Sequence, residues 1–139
     1  MLDITAHAVK DSAFLHLKGA DGEHMYSNDQ AAGIQLYGPG SKKFAEVEAR
    51  KSARAIKRMQ DNDGKFTQAP LEKRREEAAE DLADLTVSFQ NFGYPPADDA
   101  QGIALYRAVY TDPSLGFINK QIEKFLNDWG NFKPGSTVS

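Results

Sequence analysis

Apolar positions change rhythm along this 139-residue chain, and the change falls near residue 40. Before it, short apolar runs are cut by turn residues. Ala13-Phe14-Leu15-His16-Leu17-Lys18 predicts a strand, Gly19-Ala20-Asp21-Gly22 a turn, and Glu23-His24-Met25-Tyr26 a returning strand. Ser27 to Gln30 is a polar loop, Ile34-Gln35-Leu36-Tyr37 alternates as a half-buried strand does, and Gly38-Pro39-Gly40 stops it. This predicts a small antiparallel β-meander. So small a sheet needs a helix or a partner chain over one face.

Beyond residue 40 the apolar spacing is helical. Ser41 is placed to cap a helix running to about Gln60, with a face of Phe44, Val47, Lys51, Ala55, Ile56 and Met59. Asp61-Asn62-Asp63-Gly64 ends it. A second helix is predicted from near Pro70 to about Phe89, with Leu71, Ala78, Leu82, Leu85 and Phe89 along a seam that Arg75 interrupts. Asn91 to Pro96 breaks it. Asp98 or Asp99 is the expected cap of a short third helix ending near Tyr110, with Ile103, Tyr106, Val109 and Tyr110 on its apolar side. A fourth helix opens with Asp112 as cap and Pro113 at its first position. Its stripe is Leu115, Ile118, Ile122, Phe125 and Trp129, and Gly130 is suited to close it in the left-handed region. The expected fold is α+β: an N-terminal meander followed by about four helices. One domain spans 1–139, with a strand-rich section 1–40, a helical section 41–132 and an extended polar tail 133–139.

Composition changes this picture little. The formal charge is −3 and there are no cysteines, so disulfides and thiolate metal sites are excluded. No basic run precedes an apolar segment at the start, so no secretory leader is expected, and no window approaches the ~20 apolar residues of a membrane span.

Charge is nonetheless sorted by element. Positions 42 to 58 carry seven basic residues against Glu46 and Glu48, a net of +5, while the next helix sets six acids from Glu72 to Asp84 against three cations, a net of −3. Opposite charge on consecutive helices predicts mutual steering, within the chain or between copies. The alternative use of Lys51, Arg54 and Arg58 is phosphate tracking on nucleic acid, which requires cations left unpaired.

Candidate chemistry is sparse. Were Asp61 to Gly64 part of a calcium loop, its first and twelfth places would fall on Met59 and Pro70, neither a ligand, so a helix-ending turn is expected. His7, His16 and His24 lack an acid at fixed spacing, so no metal is expected. No nucleophile elbow or phosphate loop occurs, so neither an enzymatic role nor a cofactor is expected. Nine large aromatics lie between Phe89 and Phe132. Phe117 points off the main stripe of its helix and Phe132 lies past the helix end, so with Trp129 they are the candidate anchors for another chain.

The order of segments resembles the tail assembly chaperones of tailed-bacteriophage morphogenesis modules. The resemblance runs from Ala13 to Phe132. It is carried by Asp21-Gly22-Glu23, by Ile34 to Ser41 leading into the basic helix Lys42 to Met59, and by the acid-rich helix leading into Leu82 to Phe92. Ala104-Leu105-Tyr106, Asp112-Pro113 and the closing Gly130-Asn131-Phe132 complete it. The family usually has a tryptophan and a longer loop after the acidic helix, where this chain has Phe89 and a short Tyr94-Pro95-Pro96 link. The resemblance implies a non-enzymatic assembly protein of the host cytoplasm that covers apolar helical stretches of a tape-measure protein and passes them to tail-tube subunits. The alternative is a permanent virion component, such as a capsid decoration, head-tail or tail protein, contacting other virion subunits. Self-association is compatible with both.

Overall fold

The computed structural model describes residues 1–65 and 69–134. They form an α+β fold. Strands β1 (Ser12–His16), β4 (Gly33–Tyr37) and β5 (Thr86–Gln90) make an antiparallel sheet with β4 in the centre. Ala13 lies opposite Leu36 and Leu15 opposite Ile34; across β4, Leu36 meets Thr86 and Ile34 meets Phe89. These rows face the helices. The other face carries Ser12, Phe14, Gln35 and Ser88, all half-buried. Gly33 is required there: a Cβ would sit 2.2 Å from the Leu15 carbonyl oxygen and 2.4 Å from the Phe14 ring. A bulge between Gln35 and Leu36 leaves Val87 as the extra residue of β5.

The sheet departs from the predicted meander. β1 pairs directly with β4, and the expected returning strand Glu23 to Tyr26 is reduced to a Lys18–His24 bridge. Next comes a two-residue hairpin, β2 (Tyr26–Ser27) with β3 (Gln30–Ala31). Asn28 and Asp29 turn it at φ 50° and 65°, the double left-handed conformation these residues tolerate best after glycine. The third strand comes from β5, which the sequence reading assigned to the second helix.

Helix α1 (Lys42–Asp61) is capped as expected: the Phe44 amide donates to Ser41 Oγ at 3.1 Å, and that hydroxyl donates to the Gly38 carbonyl at 2.7 Å. Its predicted apolar face turns inward only over the first turns, where Phe44 packs half-buried on the core. Val47 is its one buried residue, and Ile56 and Met59 are exposed. Helix α2 (Leu71–Asp84) stops before Phe89 because the Thr86 hydroxyl donates to the Leu82 carbonyl at 2.9 Å, closing the last turn as the β-branched pair Thr86-Val87 enters the sheet. Helix α3 (Gly102–Thr111) starts after Gln101, not at Asp98 or Asp99; Asp98 sits at φ 57° in the preceding turn.

The fourth helix divides. Asp112 caps a 3-10 turn (Pro113–Leu115), accepting from the Ser114 amide at 3.0 Å, and α4 runs only from Gly116 to Leu126. Asn127 and Asp128 stop it. Asp128 opens another 3-10 turn (Trp129–Phe132), and the Asn131 side chain donates to the Phe125 carbonyl at 2.9 Å. Trp129 therefore leaves the stripe, and Gly130 is not a left-handed cap.

One apolar core joins Leu15, Ile34 and Leu36 of the sheet to Leu82, Val109, Ile122 and Phe125 of α2, α3 and α4. Of the expected extended tail, Lys133 is extended and 135–139 lie outside the described residues.

Candidate partner groove and the charged helix pair

The β2–β3 hairpin, the link after β5 and the start of α4 enclose an open apolar groove of about 580 Å³. Met25, Tyr26, Phe92, Tyr94, Leu115 and Phe117 form its walls, and Val109 and Ile118 reach it from the core. Behind it Phe89 packs against Phe92 and Tyr106, each at 4.5 Å between ring centroids. Asn91, at φ 63°, donates its side-chain amide to the Ala31 carbonyl at 2.8 Å and ties β5 to the hairpin.

Much of the polar rim is bonded within the chain. The Tyr94 hydroxyl donates to Asp112 Oδ2 at 2.7 Å and the Ser114 hydroxyl to Oδ1 at 2.6 Å. The Ser114 hydroxyl first, then Tyr94, hold the Asp112 carboxyl below the usual carboxylate range, and the bond to Asp112 raises the Tyr94 phenol. The rim thus carries one fixed negative charge beside apolar walls.

The three aromatic candidates fare differently. Phe117 is half-buried and lines the groove. Trp129 is 56% exposed, its ring edge beside Gly40. Phe132 is fully buried and packs edge-on against Phe125 at 5.3 Å, so it belongs to the chain's own core and is not an exposed anchor.

The basic and acidic helices meet each other. Arg50 donates to Asp81 Oδ1 through Nε at 3.2 Å and Nη2 at 2.7 Å, and through Nη1 to Asp84. Arg54 grips both oxygens of Asp81 at 3.1 Å, and Arg58 reaches Glu77. Asp81 is buried, so its two arginines neutralise a desolvated charge. Arg54 and Arg58 are therefore spent on α2 rather than left for phosphate, while exposed Lys51 lies 3.4 Å from Glu48.

The remaining candidates resolve locally. His16 and His24 stack at 4.2 Å with planes 20° apart, an arrangement that does not converge two nitrogens on one ion, and His16 Nε2 lies 2.9 Å from the Met25 carbonyl oxygen. His7 ends the 3-10 turn Ile4–His7. Among the described residues no three His, Asp or Glu side chains group as metal ligands, and no helix is long and apolar enough to cross a membrane. Asp63 and Gly64 are both left-handed, and the Gly64 amide donates to the Met59 carbonyl at 2.8 Å, so the acidic loop is a helix terminator.

The groove itself escaped the sequence reading because its lining is drawn from residues 17 to 118. The local signs were Asn28-Asp29, a hairpin turn pair, and the Tyr94-Pro95-Pro96 break. No family model, no curated protein and no solved structure matches this chain.

Proposed function

We propose that this chain is a non-enzymatic assembly protein of a tailed-phage virion, acting as a tail assembly chaperone that holds an apolar helical segment of a tape-measure protein. The groove beside Phe117 carries the reading. Its volume is that of a ligand pocket, but Asn91, Tyr94, Asp112 and Ser114 on its rim bond within the chain, which leaves the Tyr26 and Ser27 hydroxyls to orient a small polar molecule. Apolar walls with a polar rim fit the face of an amphipathic helix, and each large side chain buried there contributes roughly 1.5–3 kcal/mol. The resemblance of the segment order to that of tail assembly chaperones suggests the virion context.

The test is a titration of the chain with a labelled helical peptide from the tape-measure protein of the same morphogenesis module. Saturable binding is expected, nearly insensitive to added salt and lost in Phe117→Asp. Absent binding, or binding that Phe117→Asp leaves intact, overturns the reading. Mass spectrometry of purified virions separates the two forms of the proposal: a chaperone is absent from the particle, and stoichiometric copies make the chain a permanent component.

A further inference from the structure

Helix α1 carries a second surface that none of this uses. Arg50, Arg54 and Arg58 face α2 and so fix which side of α1 looks outward. On that outward side Ala45, Ala49, Ser52, Ile56 and Met59 follow one another at steps of four, three, four and three, the two-position seam of a coiled coil. All five are exposed, with Ile56 at 57% and Met59 at 42%. None of them lines the groove.

We propose that α1 pairs with α1 of a second copy of this chain, antiparallel, across this seam. The occupant is read from the seam itself, which is small at its N-terminal end and large at its C-terminal end. A two-fold axis at Ser52 sets Ala45 against the partner's Met59 and Ala49 against the partner's Ile56, so large meets small along the whole contact. A parallel pair sets Ile56 on Ile56 and Met59 on Met59 at one end and Ala45 on Ala45 and Ala49 on Ala49 at the other, so the two helices cannot keep one spacing along the seam. Charge selects the same arrangement. Antiparallel pairing brings Glu46 beside the partner's Lys57, whose own-chain contact is an exposed 3.6 Å approach to Asp61; parallel pairing leaves the two about three turns apart along the helices. The contact is isologous and closes at two copies. Over about two heptads it is smaller than the roughly 1,200–2,000 Å² of a standard interface, so the dimer dissociates on dilution.

The chain has no cysteine, which makes cross-linking of the full chain decisive. Ser52→Cys is expected to form a disulfide with itself on oxidation. Ala45→Cys is expected to cross-link only when mixed with Met59→Cys. By sedimentation the 15.3 kDa chain moves toward twice that mass as concentration rises. Ile56→Asp, at an exposed position, weakens dimerisation by about a hundredfold or more because both copies lose the contact, with unchanged circular dichroism. Glu46→Lys and Lys57→Glu each weaken it, and the double variant restores it. A monomer at every concentration, or Ala45→Cys linking to itself, overturns the proposal. Loss of peptide binding at the groove leaves these readouts unmoved, so the two proposals fail separately.

Discussion

Replacing Phe132 with alanine tests where the chain's cohesion resides. The ring is fully buried, lies edge-on to Phe125 at 5.3 Å, and packs so closely on Gly38 that a Cβ there would fall 2.4 Å from it. The Phe132 carbonyl also accepts from the Lys10 amide at 2.7 Å. One side chain thus fastens the last 3-10 turn to α4 and to the turn before α1. Truncating a buried phenylalanine costs about 3–5 kcal/mol, the lost transfer energy plus the cavity left behind. Against a total of roughly 5–15 kcal/mol that is about a fifth of the stability or more, and for a chain of this length it lowers Tm by on the order of 10–20 °C. Trp129, three residues earlier and 56% exposed, should cost about 1 kcal/mol or less on the same substitution. Urea unfolding followed by circular dichroism reads both from the midpoint shift at constant slope. If Phe132→Ala costs under about 1 kcal/mol, or less than Trp129→Ala, the ring is not core and the account of this end of the chain is wrong.

Two further outcomes follow from buried polar groups. Arg50→Ala with Arg54→Ala strands the buried Asp81 carboxylate and should cost about 3–5 kcal/mol in urea unfolding, most of it recovered by adding Asp81→Leu; an unrecovered loss would show that the arginine stems, not the charge, matter. The Thr86 hydroxyl hydrogen goes to Leu82, so Tyr110 donates to Thr86 at 2.6 Å, and burial pushes the Tyr110 phenol up. The fold therefore holds that proton more tightly than the unfolded chain: its stability contribution is intact below the unfolded pKa of about 10 and is lost as pH rises toward the raised folded value. Tyr110→Phe should cost about 1 kcal/mol near neutrality and flatten the alkaline loss of stability above pH ~10, and equal alkaline slopes in the two proteins would refute the assignment.

Much of the chain was legible where one local rule acted alone. Ser41 predicted its helix start because a serine before a helical pattern has few other uses, and β1 and β4 showed in their apolar runs. The errors fell where two rules fitted the same residues. Leu82, Leu85 and Phe89 satisfy a helical seam, yet Thr86-Val87 prefers a strand and β4 needs a second partner, so the sheet took Thr86 to Gln90. Trp129 fits the stripe of α4 by spacing, but the Asp128 carboxylate accepts from the Gly130 amide and the Asn131 side chain donates to the Phe125 carbonyl, which ends the helix first. Opposite charge on α1 and α2 was visible as arithmetic, whereas the pairing of Arg50 and Arg54 on one carboxylate needed three dimensions. The groove was least legible, since nothing local ties Met25 to Phe117.

The charged pair of helices makes better sense as an orienting device than as a source of stability. α1 is twenty residues long and buries only Val47, so apolar packing hardly decides how it rolls against the rest of the chain. Ion pairs of this kind contribute little net stability once desolvation is counted, but a two-pronged grip on Asp81 is strongly directional. It fixes the arginine side of α1 inward and so holds the Ala45 to Met59 seam outward. The groove stands differently: Val109 and Ile118 belong both to its floor and to the core. Changes deep in the groove therefore trade binding against folding, while the seam changes at almost no cost to the fold. If the two proposed contacts hold, one surface is fused to the core and the other is held off it by charge, so substitutions separate them: the seam can be altered without unfolding the chain, the groove floor cannot.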